Sequence, residues 1–78
     1  MPAKQRISLE QIKNAALKRE SRAGQPVRIW SGEKSGWWRP HARGYTRDPK
    51  QAGLYDFEDA FQSTSHCGPE KRIAFEPA

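Results

Sequence analysis

Apolar positions along the chain change their period twice, and each change marks an element. Leu9, Ile12, Ala15 and Ala16, flanked by Ile7 and Leu17, recur at three- and four-residue steps. That is a narrow apolar stripe on a helix. Ser8 is a good N-cap, Gln11 completes a capping box, and Ile7 with Ile12 has the spacing of a hydrophobic staple. The pattern predicts a helix from about Leu9 to Arg22, stopped by Gly24 with Pro26 beyond. Residues 1–6 read as a frayed basic leader.

From Val27 the period becomes two. Val27-Arg28-Ile29-Trp30 predicts a strand. Gly32 and Gly36 bracket a turn, and Trp37-Trp38-Arg39 reads as the return strand of a hairpin. Pro40 ends the ladder because it carries no donor. Gly44 falls in an irregular stretch and is expected in a conformation closed to other residues. Asp48 and Pro49 predict the cap and first residue of a short helical turn ending near Gly53. Leu54-Tyr55 is a brief extended link. Asp56 caps a second helix, about Phe57 to His66, with Phe57, Ala60, Phe61 and Thr64 on one face and Gly68-Pro69 after it. Arg72 to Glu76 alternates as a last strand, Ile73 and Phe75 facing one way. The fold class is therefore α+β, in the order α-β-β-(short α)-α-β. A three-stranded, mainly antiparallel sheet with helices on one face is the economical arrangement.

Length and composition narrow the function. The chain has 78 residues, 35% of them hydrophobic and 29% charged, with a mean hydropathy of −1.02. That supports one domain over residues 1–78 and leaves no room for a two-domain cleft or a large substrate pocket. No apolar run approaches the ~18 residues of a membrane helix. The leader has no apolar core of a secretory signal, so the expected location is the cytoplasm. A single cysteine fits a reducing compartment. The net charge is +5, unevenly spread: residues 1–50 carry twelve Lys/Arg against four Asp/Glu, the rest two against five. A basic front and an acidic tail imply a basic face, which speeds encounter with nucleic acid or acidic proteins or simply keeps a small domain soluble.

The chemistry-bearing stretch is Trp37 to Thr46 with Arg47, where three arginines, a histidine and three aromatics fall within eleven residues. Arginine neutralises phosphate and aromatic rings stack on bases. Two readings of the stretch stand side by side. Tryptophans supply core bulk in so short a chain, and alternation lets only one of Trp37 and Trp38 face the core, the other resting under an arginine. Alternatively Arg39, His41, Arg43 or Arg47 faces a partner. The helix at the front adds the basic residues Lys13, Lys18, Arg19 and Arg22, either as the outer side of a packed helix or as a docking surface. Enzymatic chemistry has little support. Adjacent residues on a helix point apart, so His66 is poorly placed to activate Cys67, and Cys67 is better read as a small buried hydrophobe. His41, His66 and Cys67 do not make a metal site. Asp56, Glu58 and Asp59 are explained by the start of a helix, and the glycines form no phosphate loop. No enzyme and no cofactor are expected.

Residues 29–57 resemble a family of small proteins encoded by phages and prophages of proteobacteria. The shared pattern, as it stands here, is Ile29-Trp30-Ser31, Trp37-Trp38-Arg39-Pro40, Gly44-Tyr45-Thr46, Ala52-Gly53 and Tyr55. In size and class the whole chain also looks similar to single-domain anti-CRISPR proteins that inhibit type I surveillance complexes, with a type I-C complex the foremost expected target. The resemblance implies a monomeric protein in the host bacterial cytoplasm that binds a host protein or ribonucleoprotein complex and blocks target DNA binding by occlusion. The contact residues expected are Lys13, Lys18, Arg19, Arg22, Arg39, Arg43 and Arg47, with Trp38 or Tyr45 as aromatic anchors. Direct nucleic-acid binding, or service as a regulatory or structural phage module, are the alternatives.

Overall fold

The computed structural model describes residues 6–14 and 24–78. Its elements run β1 (Ile7–Ser8), α1 (Leu9–Lys13), β2 (Pro26–Ser31), β3 (Gly36–Trp38), β4 (Tyr45–Thr46), β5 (Tyr55–Asp56), α2 (Phe57–Thr64) and β6 (Ile73–Pro77), with short 3₁₀ turns at Pro40–Ala42, Pro49–Gln51 and Pro69–Lys71. The class is α+β, but among the described residues the sheet has six strands instead of three. All its pairings are antiparallel, in the order β1-β6-β2-β3-β4, with β5 also on β2.

The three extra strands explain the miscount. β1, β4 and β5 are two residues each, too short to show a period. Each is held by a longer neighbour. β2 is the spine: β6 lies along one edge over five residue pairs from Val27↔Pro77 to Ser31↔Ile73. The other edge is shared, β3 taking Trp30 and Ser31 and β5 taking Pro26 and Val27.

The capping box forms as expected. The Ser8 hydroxyl accepts from the Gln11 N–H, and the Gln11 side chain accepts from the Ser8 N–H, each at 3.1 Å. The helix expected to reach Arg22 does not run on unbroken: Asn14, at φ −94° and ψ 0°, leaves α-geometry. The remainder of that expectation, with Ala15, Ala16, Leu17, Lys18, Arg19 and Arg22, falls outside the described residues. The second helix ends at Thr64, two residues before His66, and Asp56 caps its start through the Glu58 N–H.

Pleating divides the sheet's side chains between two faces. Val27 and Ile29 of β2, Ile73 and Phe75 of β6, Leu9 and Ile12 of α1, and Phe57 and Ala60 of α2 form one buried cluster. α1 and α2 therefore pack on the same face. Phe57 and Phe75 meet edge to face at 5.5 Å. Trp37 is the buried member of the tryptophan pair, yet it lies on the opposite face. It is the cross-strand partner of Trp30, and the two rings meet edge-on at 5.0 Å. The Arg6 guanidinium sits over both, 4.3 Å from Trp30 and 4.9 Å from Trp37, and pairs with Glu76 at 3.6 Å. The arginine over a tryptophan comes from the segment read as a frayed leader, so its last residue has a structural task. Trp38 turns to the core face and is half-buried against the cluster.

Candidate functional site

The stretch from Trp38 to Tyr55 makes one turn into β4, a second turn after it, and rejoins the sheet at β5. Four sets of contacts hold it. The Arg39 N–H donates to the Gly44 carbonyl at 2.9 Å, closing the first turn. The Arg39 side chain donates to the Tyr45 carbonyl at 3.2 Å and the Gln51 side-chain oxygen at 3.3 Å, tying the first turn to the second. Thr46 Oγ1 donates to the same Gln51 oxygen at 3.2 Å and accepts from the Asp48 N–H. The Tyr55 hydroxyl donates to the Arg39 carbonyl and accepts from the Ala42 N–H at 3.0 Å.

Two glycines make this geometry accessible. Gly44 has φ +97°, as expected. Gly53 lies against Pro40, where a Cβ would come within 2.8 Å of the proline nitrogen and Cα. Its N–H donates to the Trp38 carbonyl at 2.9 Å. The first turn also carries strain. His41 and Ala42, neither of them glycine, have φ 59° and 55°. Left-handed backbone costs an ordinary residue about 1–2 kcal/mol, so the bracing contacts hold a conformation the turn does not favour alone.

The basic residues expected at a docking surface divide sharply here. Arg39 is half-buried and engaged internally on both its backbone and its guanidinium. It builds the loop. Arg43 and Arg47 are exposed, and although the Arg43 N–H donates to the Pro40 carbonyl at 3.3 Å, neither side chain makes a hydrogen bond or ion pair with a described residue. Lys13 is distant in sequence and anchors its own helix, with Nζ donating to the Cys67 carbonyl at 2.9 Å and lying 3.8 Å from Glu10. Lys18, Arg19 and Arg22 lie outside the described residues. Of the two aromatic anchors, Tyr45 is 44% exposed. Trp38 is the half-buried hub beneath it, edge-on to Tyr45 at 6.5 Å and to Tyr55 at 6.4 Å, with its indole N–H enclosed.

Two residues central to the loop were not singled out from sequence. Gln51 carries no signal beyond its polarity. Tyr55 reads locally as part of a link, although the pattern Ala52-Gly53 and Tyr55 had placed it among the recurring positions.

The helix argument separating His66 from Cys67 does not hold, because α2 stops at Thr64. Cys67 Sγ lies 3.8 Å from His66 Nε2, with the cysteine half-buried against the core. That distance is at the long end of a hydrogen bond to sulfur, with the His66 tautomer setting which atom donates. Among the described residues no group of three or more His, Cys, Asp or Glu is placed to hold a metal ion, and no helix is long and apolar enough to cross a membrane. Comparison with protein-family models, with curated proteins and with solved structures finds no match.

Proposed function

We propose that this chain is a non-enzymatic binding protein that docks through the braced loop between β3 and β5. Its target in this reading is a host defence complex, foremost a type I-C CRISPR surveillance complex. It acts there as a monomer in the host cytoplasm and blocks target DNA binding by occlusion. The observation that carries the docking role is the division of labour among the arginines. Arg39 is consumed in building the loop, while the Arg43 and Arg47 side chains are exposed and without a partner among the described residues. A braced backbone under the two arginines leaves mainly their own side-chain freedom to be lost on binding, and guanidinium groups suit an acidic protein surface or a phosphate backbone. The phage-type pattern over residues 29–57 supplies the biological setting.

The exposed Tyr45 between those arginines favours a second reading, direct binding to single-stranded nucleic acid by stacking and phosphate contact. One assay separates the two. The fraction of labelled target duplex bound by a purified type I-C surveillance complex is measured with and without the protein, beside lanes of protein with duplex alone and with single strand alone. Loss of complex binding with no shift from the protein alone supports occlusion. A shift from the protein alone, weakening steeply with salt, makes nucleic-acid binding the function. Arg43→Glu with Arg47→Glu abolishes the inhibition and leaves the melting curve in place. A folded double variant that still inhibits at the wild-type dose overturns the loop as the interface. Arg39 is left out because its reversal would dismantle the loop.

A further inference from the structure

We infer that Tyr55 is the positioning residue of the docking loop: its hydroxyl holds the left-handed backbone at His41 and thereby sets the direction in which the chain leads into Arg43. The inference rests on the docking role proposed above for its functional half, and on geometry alone for its structural half. Tyr55 lies in β5, where it is the cross-strand partner of Val27 on the spine strand. Its backbone is therefore fixed by the sheet, while its ring reaches across to the loop. Its hydroxyl meets two backbone groups of one turn, donating to the Arg39 carbonyl and accepting from the Ala42 N–H. Those groups bracket Pro40 and His41, the first residue with positive φ. The turn's own bond, Ala42 N–H to Arg39 carbonyl, is 3.2 Å long, so the hydroxyl bridges a weak closure.

Left to itself, His41 favours negative φ. A swing of that dihedral separates the two groups the hydroxyl joins and redirects every atom after it, Ala42 and then Arg43. The ring is held as well: its Cε2 would lie 2.9 Å from a Cβ at Gly53, and it stands edge-on to Trp38. Sheet, ring and hydroxyl thus form one rigid path from β2 to the exposed cation.

The test is Tyr55→Phe in the full chain, which keeps the ring and removes the hydroxyl. Amide exchange is read first. Exchange at Ala42 rises about two- to tenfold, the factor that goes with one ordinary hydrogen bond, while Ile29 and Phe75 stay protected. Unchanged exchange at Ala42 overturns the inference. The dose for half-maximal block of duplex binding is then compared for wild type, Tyr55→Phe, Arg43→Ala and the double variant. If Tyr55 acts by placing Arg43, the first two variants each weaken the block and the double variant is no weaker than Arg43→Ala. Multiplying effects overturn the positioning role, since a general loss of stability adds to an independent contact. So does a wild-type dose from Tyr55→Phe. If the wild-type protein gives no block at all, the docking reading fails, and the exchange result alone decides whether Tyr55 holds the turn.

Discussion

Two regions of this small molecule are held by different physics. The half built from β1, β6, the spine of β2 and the two helices is joined by burial. Leu9, Ile12, Val27, Ile29, Phe57 and Phe75 are each at most 1% exposed. In the loop region from Trp38 to Tyr55 no large apolar side chain is fully buried, and only the rings at its two ends pack against the core. Its order comes from directed contacts to backbone groups, from Gln51 bridging two turns, and from two glycines that let chain segments approach. Burial is non-directional and tolerates approximate shapes. Hydrogen-bonded order is directional, and a single missing partner releases a local segment. The first kind of order suits a support and the second a surface that presents charge.

The comparison is broken most readily by a core truncation. Phe75→Ala removes a ring that meets Phe57 and pairs across both β1 and β2. Such truncations cost about 3–5 kcal/mol, comparable with the whole net stability expected of a chain this size, ~3–5 kcal/mol. The cooperative thermal transition is expected to vanish from the circular dichroism melt. A variant that still melts cooperatively within a few degrees of wild type would show that burial does not dominate this half.

The loop should fail more gently. In Gly53→Ala the new methyl meets the Pro40 backbone at 2.8 Å, and both sides of that contact are constrained. Overpacking of this type costs about 1–3 kcal/mol. The variant is expected to melt cooperatively, several degrees lower, with amide exchange accelerated from Trp38 to Tyr55. Uniform acceleration across β2 and β6 would mean that loop and core form one cooperative unit. Ala42→Gly acts in the opposite direction. It removes the left-handed strain at φ 55° but adds freedom to the unfolded chain, for a net gain of up to about 1 kcal/mol. A fall in the melting temperature would show that the turn is not strained.

The same division decides how much of the structure was legible in the sequence. The buried half announced itself. The Ser8 box, the β2–β3 hairpin, the Asp56 cap and the inward Ile73 and Phe75 all follow from short-range patterns. The six-stranded sheet did not, because Ile7–Ser8, Tyr45–Thr46 and Tyr55–Asp56 become strands only through partners far along the chain. At the candidate site the types of residue were legible and their roles were not. Arg39, Arg43 and Arg47 look alike in sequence. Only the position of the Tyr45 carbonyl and of Gln51 separates the arginine that builds from those left outward. Trp37 and Trp38 were correctly expected on opposite faces. The ring under an arginine nevertheless proved to be the more buried one, because Trp30 from the neighbouring strand and Arg6 from the start of the chain enclose it.

The smallest expected effect tests whether charge contributes to the supporting half. The β2–β3 turn is stitched to the approach of β6 by Gly32 N–H to the Arg72 carbonyl at 3.0 Å, Glu33 N–H to the Lys71 carbonyl at 3.2 Å, and Lys71 Nζ to Glu33 at 3.1 Å. The Glu33 carboxylate, through its hydrogen bond and then its charge, raises the Lys71 pKa above the ordinary lysine value. A raised folded pKa means a stabilisation fully present below the unfolded lysine pKa and lost as pH rises through the folded one. Stability from this pair should therefore be flat through neutral pH and decline only in the strongly alkaline range. The ion pair is solvent-exposed, and such pairs contribute little. Glu33→Gln is expected to leave the melting temperature at pH 7 unchanged within error, and to flatten the alkaline decline slightly. A clear drop at pH 7 would mean that the side-chain pair, and not the two backbone bonds beside it, closes this end of the sheet.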